Sequence, residues 1–337
     1  MQRILERGEI ESLSHTSFAR LRLPQSDEVF VARAARLLDL AQGKVAGIPV
    51  NATMSGYLSL MREVVVAQAD IMLTLSEAEL TMPDQASLNL SLQHAMPPLS
   101  ASAARAPVWR DILTRLLGKL DMVAVLNQEL AAVITSLREL NDPELEQLAD
   151  AIIAQRQNGL NPAQAPFVAA ALQVVWTYQA SRLQEQQVPM LGTGILCPVC
   201  GSHPVASVIR IGGQSQGYRY LVCGLCASEW HMVRVKCSCC EQNGKIAYQA
   251  LDIADGTETP VTTTMVPVNR ANDPRKFARA ETCDDCACYT KIFNQEHDYH
   301  VEPLADDLAS LTLDILVSEA GYARGSINPL LWFGDIA

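Results

Sequence analysis

The sequence predicts an α+β chain of several domains: an all-α helical bundle, then small rubredoxin-like or zinc-ribbon β modules, then a C-terminal helix. Three observations carry this prediction. Apolar residues recur near the 3.6 period through most of residues 28–187. All ten cysteines lie between Cys197 and Cys288, and the first 196 residues contain none. Helical periodicity returns after Pro303. The expected division is a helical domain over 1–187, a double four-Cys module over 188–303, and a helix and tail over 304–337 packing on that module.

The helical elements follow in order. Phe30, Val31, Ala34, Leu37, Leu38 and Ala41 form the first stripe, and Gly43 supplies a stop. Met54–Leu75 is the second helix, with Gln68 interrupting its apolar face. Pro83, Pro97, Pro98 and Pro107 make residues 81–107 a loop with room for one short helix. Asp111–Leu117 and Leu120–Leu140 read as two further helices, the second with Leu126, Leu130, Ile134 and Leu137 on one face. Asn141 caps a helix with Pro143 in its first turn, and Gly159 closes it. Asn161-Pro162 opens the last helix of a bundle of five or six.

After Val188-Pro189 the chain changes to short β-like runs between cysteine pairs: 205–211, 218–222, 229–235, 245–251 and 289–293. A helix over Asp306–Glu319 follows, with Asp306-Asp307 read as its cap.

Composition excludes several classes. A chain of 337 residues with 49% hydrophobic and 19% charged residues has the makings of packed cores. Its longest apolar stretch, around Phe167–Trp176, is far short of the ~20 residues a membrane helix needs. The N-terminus has no apolar signal core, and Arg3 and Arg7 are not adjacent, so a cytoplasmic protein without membrane insertion is expected. A net charge of −11 disfavours nucleic acid and anionic membranes as partners.

The cysteines carry the chemistry. Cys197–Cys200, Cys223–Cys226, Cys237–Cys240 and Cys283–Cys286 are each separated by two residues. That spacing lets one tight turn aim two thiolates at a single ion, and two such turns complete a four-thiolate tetrahedron. Sequential pairing joins Cys197, Cys200, Cys223 and Cys226 across 22 residues, and Cys237, Cys240, Cys283 and Cys286 across 42. Interleaved pairing is the alternative. Iron and zinc both suit such sites, iron with a redox role and zinc with a structural one. Cys239 and Cys288 are surplus, as small half-buried thiols or as reserve ligands beside the second site. His297 and His300 read as a surface loop.

Arg210, Arg219, Arg234 and Lys236, with Tyr218, Tyr220 and Trp230, sketch a nucleic-acid face. Residues 191–303 hold ten basic and twelve acidic side chains, which favours strands with bases outward and aromatics inward instead. Gly-x-Gly-x-x-Gly, P-loop and Gly-x-Ser-x-Gly motifs are missing, and no convergent catalytic set emerges. The expected protein is not an enzyme.

Several motifs match a known family. They are Cys197-Pro-Val-Cys-Gly-Ser202, Gly217-Tyr-Arg-Tyr-Leu221, Glu229-Trp-His-Met-Val-Arg-Val-Lys-Cys237 and Cys240-Glu-Gln-Asn-Gly-Lys245. Glu281-Thr-Cys-Asp-Asp-Cys286, Asp306-Asp-Leu-Ala-Ser-Leu311 and Gly321-Tyr-Ala-Arg-Gly-Ser-Ile-Asn-Pro329 continue the match. In these the chain resembles the formate dehydrogenase accessory (formation) proteins of the FdhE family. The N-terminal half adds only its helical character and Ala165-Pro-Phe167, while Cys239 and Cys288 fall outside the family pattern. The resemblance implies a cytoplasmic chaperone-like maturation factor that binds the catalytic subunit of respiratory formate dehydrogenase before export. It also implies two iron or zinc sites on the eight paired cysteines. The residues from Asp306 through Asn328 are the expected client-gripping surface.

Overall fold

The computed structural model describes residues 18–156, 158, 160–252, 264–267 and 277–332. The segment bearing Arg3 and Arg7, and the expected stop at Gly159, lie outside these residues. Seven helices form the first half: α1 (Val29–Ala41), α2 (Ala52–Thr74), α3 (Gln85–Gln93), α4 (Val108–Ala124), α5 (Gln128–Arg138), α6 (Asp142–Ile153) and α7 (Ala165–Ser181).

Their limits follow local chemistry. Gly43, at φ 66°, ends α1 where the sequence places a stop. The side chains of Asn51, Asp84, Asn127 and Asn141 each accept a backbone N–H in the first turn of α2, α3, α5 and α6. The α4–α5 break corrects the sequence reading. Helix α4 runs straight through Gly118, whose missing side chain faces open space, and the chain turns at 125–127 because Asn127 caps α5. Leu126, expected inside, is therefore 93% exposed. The end of α6 is also corrected, since Gln155 adopts φ 52° and stops the helix before residue 159.

Helix α7 is apolar all round, and 15 of its 17 residues are buried, which makes it the centre of the bundle. Gln68 explains the interruption in α2. Its amide donates to Ala170 O at 2.9 Å and to Gln173 Oε1 at 3.0 Å, so it recognises α7 rather than breaking the core.

Nine strands form one mixed sheet among the described residues. They are β1 (Leu21–Arg22), β2 (Pro204–Ile209), β3 (Arg219–Cys223), β4 (Glu229–His231), β5 (Ile246–Asp252), β6 (Thr264–Pro267), β7 (Ala278–Cys283), β8 (Cys288–Asn294) and β9 (Ala323–Arg324). The order is β1-β4-β3-β2-β8-β7-β5-β6, with β9 alongside β8. Two antiparallel ribbons meet where β2 and β8 run parallel, Ser207 opposite Ile292. Strand β1 comes from before the bundle, so the sheet recruits a segment from the expected helical half. The expected 229–235 strand ends at His231, leaving 233–236 as an exposed turn.

The expected helix over 306–319 is two helices, α8 (Pro303–Ala309) and α9 (Leu311–Glu319). They break at Ser310, whose hydroxyl donates to Asp306 O at 2.7 Å. Helix α8 packs on α1, β2 and β8, and α9 packs on β6 and β7.

His231 sits among Phe18, Tyr218 and Tyr220, with ring centroids 4.1, 5.5 and 6.1 Å away. Burial, then the nearby Arg219 charge, pushes its imidazole down to about 4. An unfolded imidazole titrates near ~6.5. The folded state thus binds fewer protons between these values, and stability falls as pH drops through that window. Replacing His231 with Phe should flatten the dependence of the urea midpoint on pH between 6.5 and 4. Equal slopes in the two proteins would contradict this.

Candidate metal centres

The four cysteine pairs share one local geometry. The residue after each second cysteine is left-handed: Gly201 at φ 81°, Ala227 at 58°, Glu241 at 61° and Ala287 at 51°. Only the first is a glycine. The other three hold a conformation that costs roughly 1–2 kcal/mol each, so the surrounding turn must impose it. This twist returns the chain to the first cysteine. Cys197 N donates to Ser202 O at 2.9 Å, Cys223 N to Ser228 O at 2.9 Å, and Cys237 N to Gln242 O at 2.8 Å. In the fourth turn Cys283 and Cys288 are opposed in the β7–β8 ladder. Amides also face the sulfurs: Leu225 N and Cys226 N each lie 3.4 Å from Cys223 Sγ, and Cys239 N lies 3.3 Å from Cys237 Sγ.

These turns meet in two groups, Cys197, Cys200, Cys223 and Cys226 and then Cys237, Cys240, Cys283 and Cys286. Within each group all four sulfurs lie within 4.8 Å of one another. The expected sequential pairing is the one the fold brings together. Facing sulfurs are 3.6 Å (Cys197–Cys226) and 3.4 Å (Cys200–Cys223) apart in the first group. In the second they are 3.8 Å (Cys237–Cys286) and 3.9 Å (Cys240–Cys283) apart. A disulfide needs ~2.05 Å, whereas metal–sulfur bonds of ~2.3 Å give a tetrahedron edge of ~3.8 Å. The donor set and its spacing therefore fit a tetrahedral ion, zinc or iron alike.

Electrostatics favours the same occupant. Burial pushes the Cys197 and Cys226 thiols well above their ordinary range. Cys200 goes the other way; hydrogen bonds from its three neighbours outweigh its burial and hold it low. Burial of thiolates is offset by a positive charge at the centre, which is what a bound divalent ion supplies. In the second group a hydrogen bond with Cys239, then burial, raises Cys237 to about 12.

The groups differ in setting. The first is fully buried and held by the bundle. Leu99 N donates to Val199 O and Ala101 N to Cys200 O, each at 2.9 Å, while Trp176 Nε1 holds Leu99 O at 2.9 Å. Gln173 Nε2 donates to Gly224 O at 2.7 Å, extending the Gln68–Gln173 link into the Cys223–Cys226 turn. The second group is more open, with Cys240 and Cys286 only half-buried.

Cys239 and Cys288 stand outside both groups and are half-buried. Cys239 Sγ lies 3.5 Å from Thr290 Oγ1 and fills the space beside Gly325, where a Cβ would come within 2.5 Å of that sulfur. Gly325→Ala should therefore push Cys239 or lift the β9 segment, at a cost of about 1–3 kcal/mol. Chelator-driven metal loss from the second group should then run faster than in the wild type. An unchanged release rate would count against this packing.

Other expectations are corrected. Neither acid is the cap of α8: Glu302 is, its side chain accepting Ala305 N at 2.8 Å, while Asp306 lies within the helix, accepts Glu302 N at 2.8 Å and pairs with Arg36 at 2.7 Å. Asp307 instead bonds Arg324, Lys291 at 3.2 Å and Asn328 at 2.8 Å in a buried network. Asp306, Asp307 and Asn328 are all buried, whereas Ile315 is 59% exposed, so only part of the expected client-gripping stretch lies at the surface. The nucleic-acid face dissolves as well. Tyr220 and Trp230 point inward, Arg210 is paired with Glu229, and Arg219 is not outward at all but buried against Glu281 at 2.8 Å. His300 is exposed, and neither it nor His297 joins a metal-binding group among the described residues. No helix among the described residues is long and apolar enough to cross a membrane.

Sequence reasoning missed the left-handed residues 227, 241 and 287, and the buried cation Lys291. The last had a signal. Tyr289, Lys291 and Phe293 share one face of β8, so a lysine between two core aromatics points inward.

Comparison with known proteins agrees with this architecture from end to end. Three family models match in order: "FdhE, N-terminal" over residues 18–192, "FdhE, central domain" over 196–234 and "FdhE, C-terminal domain" over 235–331. The last boundary falls between the two cysteine groups. Protein FdhE of Escherichia coli O9:H4 (strain HS) is 35% identical over 332 residues, 98% of this chain and 96% of that one. The Protein FdhE homolog of Haemophilus influenzae (strain PittEE) is 35% identical over 333 residues, 98% of this chain and 97% of that one. The crystal structure of the FdhE protein from Pseudomonas aeruginosa superposes with a TM-score of 0.76 at 36% identity, covering 94% of this chain and all of that one. With both cysteine groups, the helical half and the C-terminal segment all matched, the chain belongs to the FdhE family.

Proposed function

We propose that this protein is a non-enzymatic maturation factor that binds the catalytic subunit of a respiratory formate dehydrogenase in the cytoplasm. It carries two metal ions, one held by Cys197, Cys200, Cys223 and Cys226, the other by Cys237, Cys240, Cys283 and Cys286. The observation that carries this reading is the pair of four-sulfur groups in a chain matched throughout to FdhE. Four thiolates fill a tetrahedral ion's coordination, which leaves no position at which to activate a substrate. Bound zinc or iron supplies the folding energy of a closed site, and iron adds one-electron exchange. The chain's own residues hold the thiolates in register and exclude water from the first group.

A second reading is a rubredoxin-like carrier acting on the client. The half-buried thiols of Cys240 and Cys286 favour it, since electron transfer needs one edge of the site near the surface. Deleting the gene in its host should abolish respiratory formate dehydrogenase activity, with rescue by the wild-type gene. Full activity in the deletion strain would overturn the maturation role. A reversible visible thiolate band in protein purified without oxygen would select the carrier reading.

A further inference from the structure

We propose that the exposed edge formed by Val233–Lys236 and Asn243–Tyr248 docks an acidic segment of a partner polypeptide. Most described cations are paired with a carboxylate, even on the surface, as with Lys119–Asp70, Arg115–Glu79 and Arg138–Asp121. Arg156, Arg234, Lys236 and Lys245 stand outside every such pair, and all four are exposed. Three of them fall within twelve residues of sequence that flank one cysteine turn.

That placement is specific. Lys236 directly precedes Cys237, and Lys245 O accepts Asp284 N at 3.0 Å, which ties it to the Cys283–Cys286 turn. Arg234 lines a cavity of about 400 Å³ with Val235 and Tyr248, floored by Ile209, Phe277 and Ile292. Val233 and Val235 are 44% and 65% exposed, beside unpaired charge rather than within a core. An apolar anchor between separated cations complements a segment in which carboxylates alternate with apolar side chains. On a molecule of net charge −11, a local cationic edge also orients an acidic partner's approach.

Nucleic acid fits less well. Tyr220 and Trp230 are buried, and Tyr248 is half-buried with its hydroxyl donating to Arg234 O at 3.3 Å and to Glu281 at 3.2 Å, so the edge offers no open aromatic platform for bases among the described residues. The identity of the partner rests on the proposed function, which makes it the formate dehydrogenase catalytic subunit. The docking chemistry itself does not rest on that reading.

The test compares the full metal-loaded chain with R234E/K236E/K245E and with R156E. Two probes are used, the purified catalytic subunit and a fluorescent Leu-Glu alternating octapeptide with its Leu-Gln counterpart as control. The wild type should bind the catalytic subunit and the Leu-Glu peptide with affinity that falls as salt rises. The triple variant should bind each at least about tenfold more weakly at unchanged metal content, and R156E should match the wild type. Equal binding by the triple variant, no binding of either probe by the wild type, or tighter binding of a 20-nucleotide single strand through the same cations would each overturn the proposal. Binding of the peptide through these cations without binding of the catalytic subunit would uphold the surface and defeat the assigned client.

Discussion

Cys200→Ser should leave about one metal ion per chain and destabilise both the sheet and the helical bundle. Ligation of a structural ion contributes on the order of 10 kcal/mol, comparable to the whole stability of a domain. The first group is not an appendage. Val199 and Cys200 carbonyls hold residues 99 and 101, and Gln173 of α7 holds Gly224. Losing this centre therefore frees the 97–101 loop and strips hydrogen bonds from the central helix. Limited proteolysis should open residues 97–101 together with 190–230, and the melting temperature should fall by more than about 10 °C. Cys240→Ser, in the open group far from α7, should spare both segments. Wild-type cleavage in Cys200→Ser would contradict the coupling.

Asp307→Ala should cost about 3–5 kcal/mol, because it leaves Lys291 and Arg324 with Asp314 as their one shared counter-charge in the interior. Lys291 and Asp307 are essentially inaccessible, and Arg324 reaches Asp307 and Asp314 from β9. Tyr289 donates to Asp314 at 2.7 Å and Asn328 to Asp307 at 2.8 Å, so the two carboxylates together tie α8, α9, β8 and the C-terminal segment. Burial alone would raise the Asp307 carboxyl, but Arg324 and Lys291 outweigh it and hold it below the ordinary range. A carboxyl so depressed contributes stability that is complete above about pH 4 and is lost as pH falls through its folded value. Denaturant unfolding at pH 7 measures the loss. Adding Lys291→Met should recover part of it, since the pair is coupled. A loss below about 1 kcal/mol would mean that the network is not organising the core.

What was legible in the sequence was local. A two-residue gap between cysteines is a property of one turn, so all four turns could be read directly. Asn141 and Pro143 announced α6, and Gly43 announced the end of α1, for the same reason. The failures were non-local or conformational. Strands β1 and β9 have two residues each and exist only through their partners, Trp230 and Glu229 for one and Cys288 and Tyr289 for the other. Residues 227, 241 and 287 are left-handed although none is a glycine, since the cysteine turn imposes what their own preference resists. Asp306-Asp307 looked like a solvated cap because the arginines that meet them, Arg36 and Arg324, lie 270 residues before and 17 after.

The central claim is that eight cysteines hold two ions. Metal analysis with X-ray absorption at the metal edge, on protein purified without oxygen from its own host, tests it most directly. Two ions per chain, each with four sulfur neighbours near ~2.3 Å, is the predicted result. Fewer than two ions, or nitrogen and oxygen neighbours in place of sulfur, would contradict it.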